Sequence, residues 1–216
     1  MDAYCEYIFI SRREKKPQFE ANLRKRIVTR KATRLRSEKI GVIGAETTGR
    51  NTLVRRFLNM SEAPFETPED KRYKHRSVLV DLSERPAIRQ DEIVKLEVYI
   101  LNARARSYDE IGQFIPDLKT IAMIFDVTFE RTVNIAISCM QRLRDQMHPP
   151  HPPFIMICNK IDLLRTRNAC RDIRERARNS GAQQYYECSA LMNMNMDSVL
   201  DAILLSTFFP GRSVSQ

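Results

Sequence analysis

At 216 residues, with 43 % hydrophobic and 29 % charged content, the chain is long enough for one α/β core with an appendage and too short for a large multidomain assembly. A mean hydropathy of −0.42 beside that apolar content argues for a folded, globular chain and against global disorder. No run approaches the roughly 18 apolar residues of a transmembrane helix. The charge is lopsided: residues 1–39 hold 12 Lys/Arg against 5 Asp/Glu, which leaves 24 against 22 for the remainder of a chain whose net charge is +9. The expected organisation is a basic extension over residues 1–37, a nearly neutral body over 38–208 and a short tail over 209–216.

The N-terminus places Glu6 and then an Arg/Lys cluster where a secretory leader would want an apolar stretch. Cys5, Cys139, Cys158, Cys170 and Cys188 are odd in number and include no C-x-x-C pair, so reduced thiols and a cytoplasmic location are expected. Two of the three histidines, His148 and His151, lie in the extended run HPPHPP, and with His75 they offer no zinc spacing.

In chain order, Tyr4, Tyr7, Ile8, Phe9 and Ile10 come first and are too apolar to stay wet; they are expected to pack on the body or on a partner. Residues 11–39 are strongly basic, with Phe19, Leu23, Ile27 and Leu35 spaced by multiples of four, which permits a basic helix with a thin apolar seam after Pro17. Two readings stand for this arm: contact with an acidic partner or anionic surface, including nuclear or peripheral membrane association, and a solvated leader that does nothing more. Nucleic acid is not the expected partner, because the arm lacks the interleaved aromatics of a stacking platform.

The body alternates strand and helix periods, as a wound α/β sheet does. Strands are predicted over 39–44, 76–82, 92–101, 120–128, 153–159 and 185–190, the second and third forming an antiparallel hairpin. TIAMIFDVT and PFIMICN are near-continuous apolar runs, the mark of central parallel strands covered on both faces. Helices are predicted over 51–60, 130–147, 166–179 and 196–207, the last with Asn195 as its cap, and a further one in the gap 107–117.

Three strand ends carry chemistry. The first reads Gly44-Ala45-Glu46-Thr47-Thr48-Gly49-Arg50-Asn51-Thr52, a glycine-bounded loop opening a helix, whose free N–H groups form an anion site. A ligand-free turn would leave the same signature. The second is Asn159-Lys160-Ile161-Asp162, where a carboxylate can accept from the N1–H and exocyclic amine of guanine, which adenine cannot reciprocate, and an amide can serve the opposite edge of the base. The third is Glu187-Cys188-Ser189-Ala190, which brings the Ala190 N–H toward the guanine carbonyl. Together they lie where α/β sheets bind ligands, at the carboxyl ends of strands.

Over residues 38–207 this pattern resembles the Ras superfamily of small GTPases, whose base motifs are Asn-Lys-x-Asp and Ser-Ala-Lys. The resemblance implies a P-loop fold with a mostly parallel six-stranded sheet and helices on both faces. It implies a nucleotide site of Gly44, Glu46, Thr47, Thr48, Gly49, Arg50, Asn51, Thr52, Asn159, Lys160, Asp162, Ser189 and Ala190, with GTP or GDP as ligand and other proteins as partners.

The phosphate end departs from that family. Its loop ends in Gly-Lys-Ser/Thr, but this chain has Arg50, bulkier than lysine, and Asn51 in place of the magnesium hydroxyl. The family's Asp-x-x-Gly is replaced by Asn102-Ala103-Arg104-Ala105, and its water-orienting glutamine by Arg106. Glu46 adds a carboxylate near the phosphates, where it disfavours an anion and can neutralise Arg50; Thr67 is the candidate for the family's switch threonine. Magnesium and catalytic residues are therefore not expected. The sequence ends without the cysteine of a prenylation signal and has Asp2 where myristoylation needs glycine, so no lipid anchor is expected. Three functions follow in order of support: a Ras-like pseudo-GTPase acting as a binding or scaffold module, an atypical GTPase switch using Arg50, Thr52 or a partner's group, and a basic nucleic-acid adaptor.

Overall fold

The computed structural model describes residues 8–10, 36–57, 73–85, 87–88, 90–103, 117–147, 149–166 and 170–210. In order these form strands β1 (Ile8–Ile10), β2 (Ser37–Gly44), helix α1 (Arg50–Phe57), β3 (Tyr73–Asp81), β4 (Ile93–Asn102), β5 (Leu118–Asp126), α2 (Glu130–Gln146), β6 (Phe154–Asn159), α3 (Arg171–Arg178), β7 (Gln184–Glu187) and α4 (Met196–Phe208). Seven strands make one sheet in the order β1-β3-β4-β2-β5-β6-β7. All neighbouring pairs are parallel except the β3–β4 hairpin, which runs antiparallel with Tyr73 opposite Leu101 and Asp81 opposite Ile93. The six predicted strands and the hairpin are all present. β1 is an addition: the apolar segment in front of the basic arm joins the sheet as an edge strand beside β3.

The core lies on both faces. One apolar layer joins Leu53 and Val54 of α1 and Val199 to Phe208 of α4 to Ile40, Val42, Val98 and Ile124; the other joins Val133, Ala136 and Met140 of α2 and Ile173 of α3 to Ile43, Met123, Phe125 and Met156. Neighbouring residues of β5 thus face opposite layers, which is why its run is apolar without alternation.

Local polar chemistry shifts several predicted boundaries. β3 stops at Asp81 because its carboxylate accepts from Ser83 N (3.0 Å) and Ser83 Oγ (2.6 Å) and so turns the chain into a short 3-10 helix, Leu82–Glu84. β7 stops at Glu187, because Ser189 pairs with Met194 across a tight turn. The helix predicted from 166 starts at Arg171, after Cys170 takes a left-handed φ of 57°. Asn195 occupies the cap position of α4 but makes no cap bond; its Nδ2 donates to Glu187 O at 2.9 Å. Every residue of α4 from Val199 to Phe208 is buried. Its polar members are matched: Asp201 by Arg85, Ser206 by Gln184, and Thr207 by Thr120 Oγ1 at 2.9 Å. The predicted helix at 107–117, Thr67, Arg104, Ala105, Arg106 and nearly all of the basic arm lie outside the described residues.

Candidate functional site

The parallel strands β2, β6 and β7 deliver their three motifs to one edge of the sheet, and Asn159 ties these together. It is 2 % exposed, its Nδ2 donates to Thr48 O at 2.8 Å, and its Oδ1 accepts the Ala190 N–H at 3.0 Å. The sequence reading placed both the Asn159 amide and the Ala190 N–H on the base. In the structure the Asn159 amide bonds the Ala190 N–H and the Thr48 carbonyl, so Asn159 is the brace between the loop after β2 and the turn after β7.

Close packing explains the glycines. A Cβ on Gly44 would lie 2.6 Å from Ile124 O, and one on Gly49, at φ +90°, would lie 2.5 Å from Asn159 Nδ2. Both therefore serve the seating of the loop on β5 and Asn159 as well as any approach of a ligand. A second brace was not anticipated: Arg56 Nε donates to Ala190 O at 2.9 Å and Arg56 Nη2 to Leu191 O at 2.8 Å, so the helix that begins at the phosphate loop also holds the base loop. Ser189 is fully buried and its Oγ accepts from Met192 N at 3.0 Å, which tightens the turn further.

Lys160 adopts a left-handed backbone (φ 66°), and its ammonium pairs with Asp126 Oδ2 at 2.6 Å. The Asp126 Oδ1 accepts from Thr128 N (2.9 Å) and Thr128 Oγ1 (2.7 Å). Burial raises the affinity of Asp126 for a proton, but the Lys160 ammonium and the Thr128 donors outweigh it and hold the carboxyl below its ordinary value. Glu187 is held low in the same way, with burial opposed by Arg174, Tyr185 and Arg178. A depressed folded-state pKa stabilises the protein above the unfolded carboxylate value near 4 and is lost as pH falls through the folded value. Denaturant midpoints are accordingly expected to drop below about pH 4, and Lys160→Met should flatten that drop while lowering the midpoint at pH 7. A Lys160→Met variant with an unchanged acid limb would remove Asp126 from this account.

Asp162 sits in the 3-10 helix Ile161–Leu163, and its Oδ1 is buried with no hydrogen-bond partner. A buried carboxylate oxygen without a donor is costly, and an N–H of a base supplies the missing partner. Guanine, with two adjacent donors on one edge, fits this group. The neighbouring thiols Cys158 and Cys188 are both pushed up to about 12, chiefly by burial, so they stay protonated.

The phosphate end is built differently. Thr48 is buried with Oγ1 donating to Ala45 O at 2.9 Å, while exposed Thr47 has φ 66°. Glu46 accepts from Asn102 Nδ2 at 3.2 Å, and Arg50 crosses Gly44 so that its Nη1 donates to Leu101 O. Asn51 and Thr52 are exposed on α1. The register pairs Gly44 with Asn102, so an amide side chain stands beside the start of the loop. Asn51, Thr52 and Asn102 are neutral side chains, and Glu46, bonded to Asn102, is the carboxylate beside them. Beside them a cleft of about 680 Å³ is lined by Glu46, Thr47, Asn102, Phe129, Arg131 and Arg142 among others.

None of the described helices is long and apolar enough to cross a membrane. No curated protein matches the chain. The model of the Ras family matches residues 39–208, which takes in every strand and helix described above except β1 and the first two residues of β2, and on that match the chain belongs to the Ras family.

Proposed function

We propose that this Ras-family protein binds guanine nucleotide through the base and works as a protein-binding regulatory module without hydrolysing GTP. Guanine-nucleotide binding is general in the family; what supports the narrower reading here is the contrast between the two ends of one site. The buried, partnerless Asp162 Oδ1 and the doubly braced base loop suit guanine. The Arg50, Asn51 and Asn102 end lacks the groups that hold magnesium and sense the terminal phosphate. The ligand's phosphates would meet the backbone N–H groups of Thr47 to Thr52 at the start of α1. The body at 38–208 carries this site, and the basic extension over 1–37, with its charge continuing to Lys39, offers contact to an acidic protein surface.

Titration of fluorescent GDP and ADP with and without EDTA tests the reading. GDP is expected to bind more tightly than ADP, with an affinity that chelation leaves nearly unchanged and that Asp162→Ala lowers by roughly 10²-fold through loss of charge-assisted hydrogen bonds. Equal affinity for the two bases would overturn guanine recognition. Strong loss of GDP binding on chelation would favour a magnesium-dependent switch.

A further inference from the structure

The turn after β7 is held almost group by group. Ser189 O accepts from Met194 N at 3.0 Å, and the next N–H, that of Ala190, donates to Asn159 Oδ1 at 3.0 Å. Ala190 O and Leu191 O accept from Arg56 Nε and Nη2 at 2.9 and 2.8 Å, and Met192 N donates to Ser189 Oγ at 3.0 Å. Along the peptide units from Ser189 to Met192, every carbonyl is thus engaged, and so is every N–H but one. Leu191 N–H has no partner among the described residues.

Arg56 sets where that group points. The peptide between Ala190 and Leu191 is trans and planar, so its C=O and N–H lie on opposite sides. Anchoring Ala190 O to a side chain of α1 therefore turns Leu191 N–H away from α1. The second arm of the fork holds the following carbonyl and fixes the plane of the next unit, which a lysine ammonium has no rigid geometry to do. The same turn is tied to the strand end that carries Asp162, because Ile161 N donates to Cys188 O at 3.3 Å and Asn159 bonds Ala190. One turn thus offers an N–H and the other a buried carboxylate oxygen, each without a partner. Guanine carries the reverse along one edge, a carbonyl beside an N1–H; adenine has an amine in the carbonyl's place and would set donor against donor.

We infer, on the guanine-binding reading above, that Leu191 N–H and not Ala190 N–H is the main-chain donor to the base carbonyl, and that Arg56 is the positioning residue that aims it. Arg56 is itself exposed and acts on the base only through the turn.

The full chain and its Arg56→Ala and Arg56→Lys variants are titrated with GDP, ADP, inosine diphosphate and the diphosphate of 2-aminopurine riboside. Inosine keeps the base carbonyl and N1–H, and 2-aminopurine lacks both. Arg56→Ala is expected to weaken GDP and inosine diphosphate together by roughly tenfold, the scale of one net hydrogen bond. Binding of the 2-aminopurine nucleotide and the melting temperature should stay near the parent's, since an exposed side chain contributes little to stability. Arg56→Lys should fall between the two, and it carries the comparison if Arg56→Ala melts without cooperativity. Replacing Leu191 N–H by an ester oxygen through semisynthesis should give the same selective loss. A parent that prefers GDP to ADP, with GDP binding unchanged in Arg56→Ala or in the ester, overturns the proposal and leaves guanine recognition standing. An equal loss for all the nucleotides, the 2-aminopurine one included, overturns it as well, because the base carbonyl then plays no part. A parent that does not distinguish GDP from ADP defeats the guanine reading and this proposal with it.

Discussion

GTP incubated with the purified protein and magnesium is expected to lose its γ-phosphate no faster than GTP in a protein-free control. Phosphoryl transfer in this family rests on positioning and on charge placed against the developing transition state, and losing one such group commonly costs on the order of 10²–10³ in rate. Here several are replaced together. Asn102, opposite Gly44 on the neighbouring strand, has no charge to hold a metal and is engaged with Glu46. Asn51 is exposed and offers an amide in place of a hydroxyl, Arg50 reaches toward β4, and Arg106 stands where the sequence would need an amide to orient water. A single-turnover assay with labelled GTP decides the matter: magnesium-dependent phosphate release well above the control would defeat it. The reverse experiment is equally direct. Arg50→Lys, Asn51→Ser and Asn102→Asp in combination should make GDP binding sensitive to EDTA, because the hydroxyl and the carboxylate are oxygen ligands for magnesium and the lysine is a compact cation for the phosphates. An EDTA-insensitive triple variant would mean that the loop itself, and not these three side chains, excludes the metal.

Hydrophobic period made the sheet legible, since β5 and β6 announce themselves as unbroken apolar runs and β2 ends in the glycine that opens the ligand loop. The base motif was legible too, because a strand end followed by Asn-Lys-Ile-Asp places a carboxylate where guanine can meet it. Roles fixed by distant partners were not. Nothing near Asn159 in the chain indicates that its amide spans Thr48 and Ala190, contacts separated by 111 and 31 residues. Arg56 is one basic residue on the helix after the loop, with nothing near it in the chain to indicate that its fork lands on two carbonyls 134 and 135 residues away. The side chain of Asn195 passed for a helix cap because cap preferences are local, whereas its donor was drawn to the Glu187 carbonyl. Asp126 carried a readable clue, a strand ending in Asp-x-Thr that favours an Asx turn, but its pairing with Lys160 needed β5 and β6 to be neighbours.

Replacing Arg85 by alanine is expected to destabilise the protein by about 3–5 kcal/mol, the usual cost of leaving a buried charge without its partner. Arg85 follows the short helix after β3 and is 3 % exposed; its guanidinium pairs with Asp201 on α4 and also donates to Asp197 O at 3.0 Å. Its third contact, to the Asp197 carboxylate at 3.3 Å, reaches a side chain that is 57 % exposed, so solvent screening leaves that one a minor part. In a chain of this size the loss corresponds to a fall of roughly 6–20 °C in melting temperature. The cost is one of stranding Asp201, so removing both charges should behave differently: Arg85→Met/Asp201→Leu is expected to recover most of the stability, as buried pairs replaced by apolar groups of similar size generally do. The consequence extends to the ligand site, because α4 starts immediately after the turn that carries Ser189 and Ala190, and Arg85 fixes the first two turns of that helix. Arg85→Ala should therefore weaken GDP binding as well as stability, whereas Arg85→Met/Asp201→Leu should restore both. Denaturant melts of the parent, the two single variants and the double variant supply the cycle, and an Arg85→Ala loss below about 1 kcal/mol, the range of an exposed pair, would show that α4 is held by its apolar surface alone.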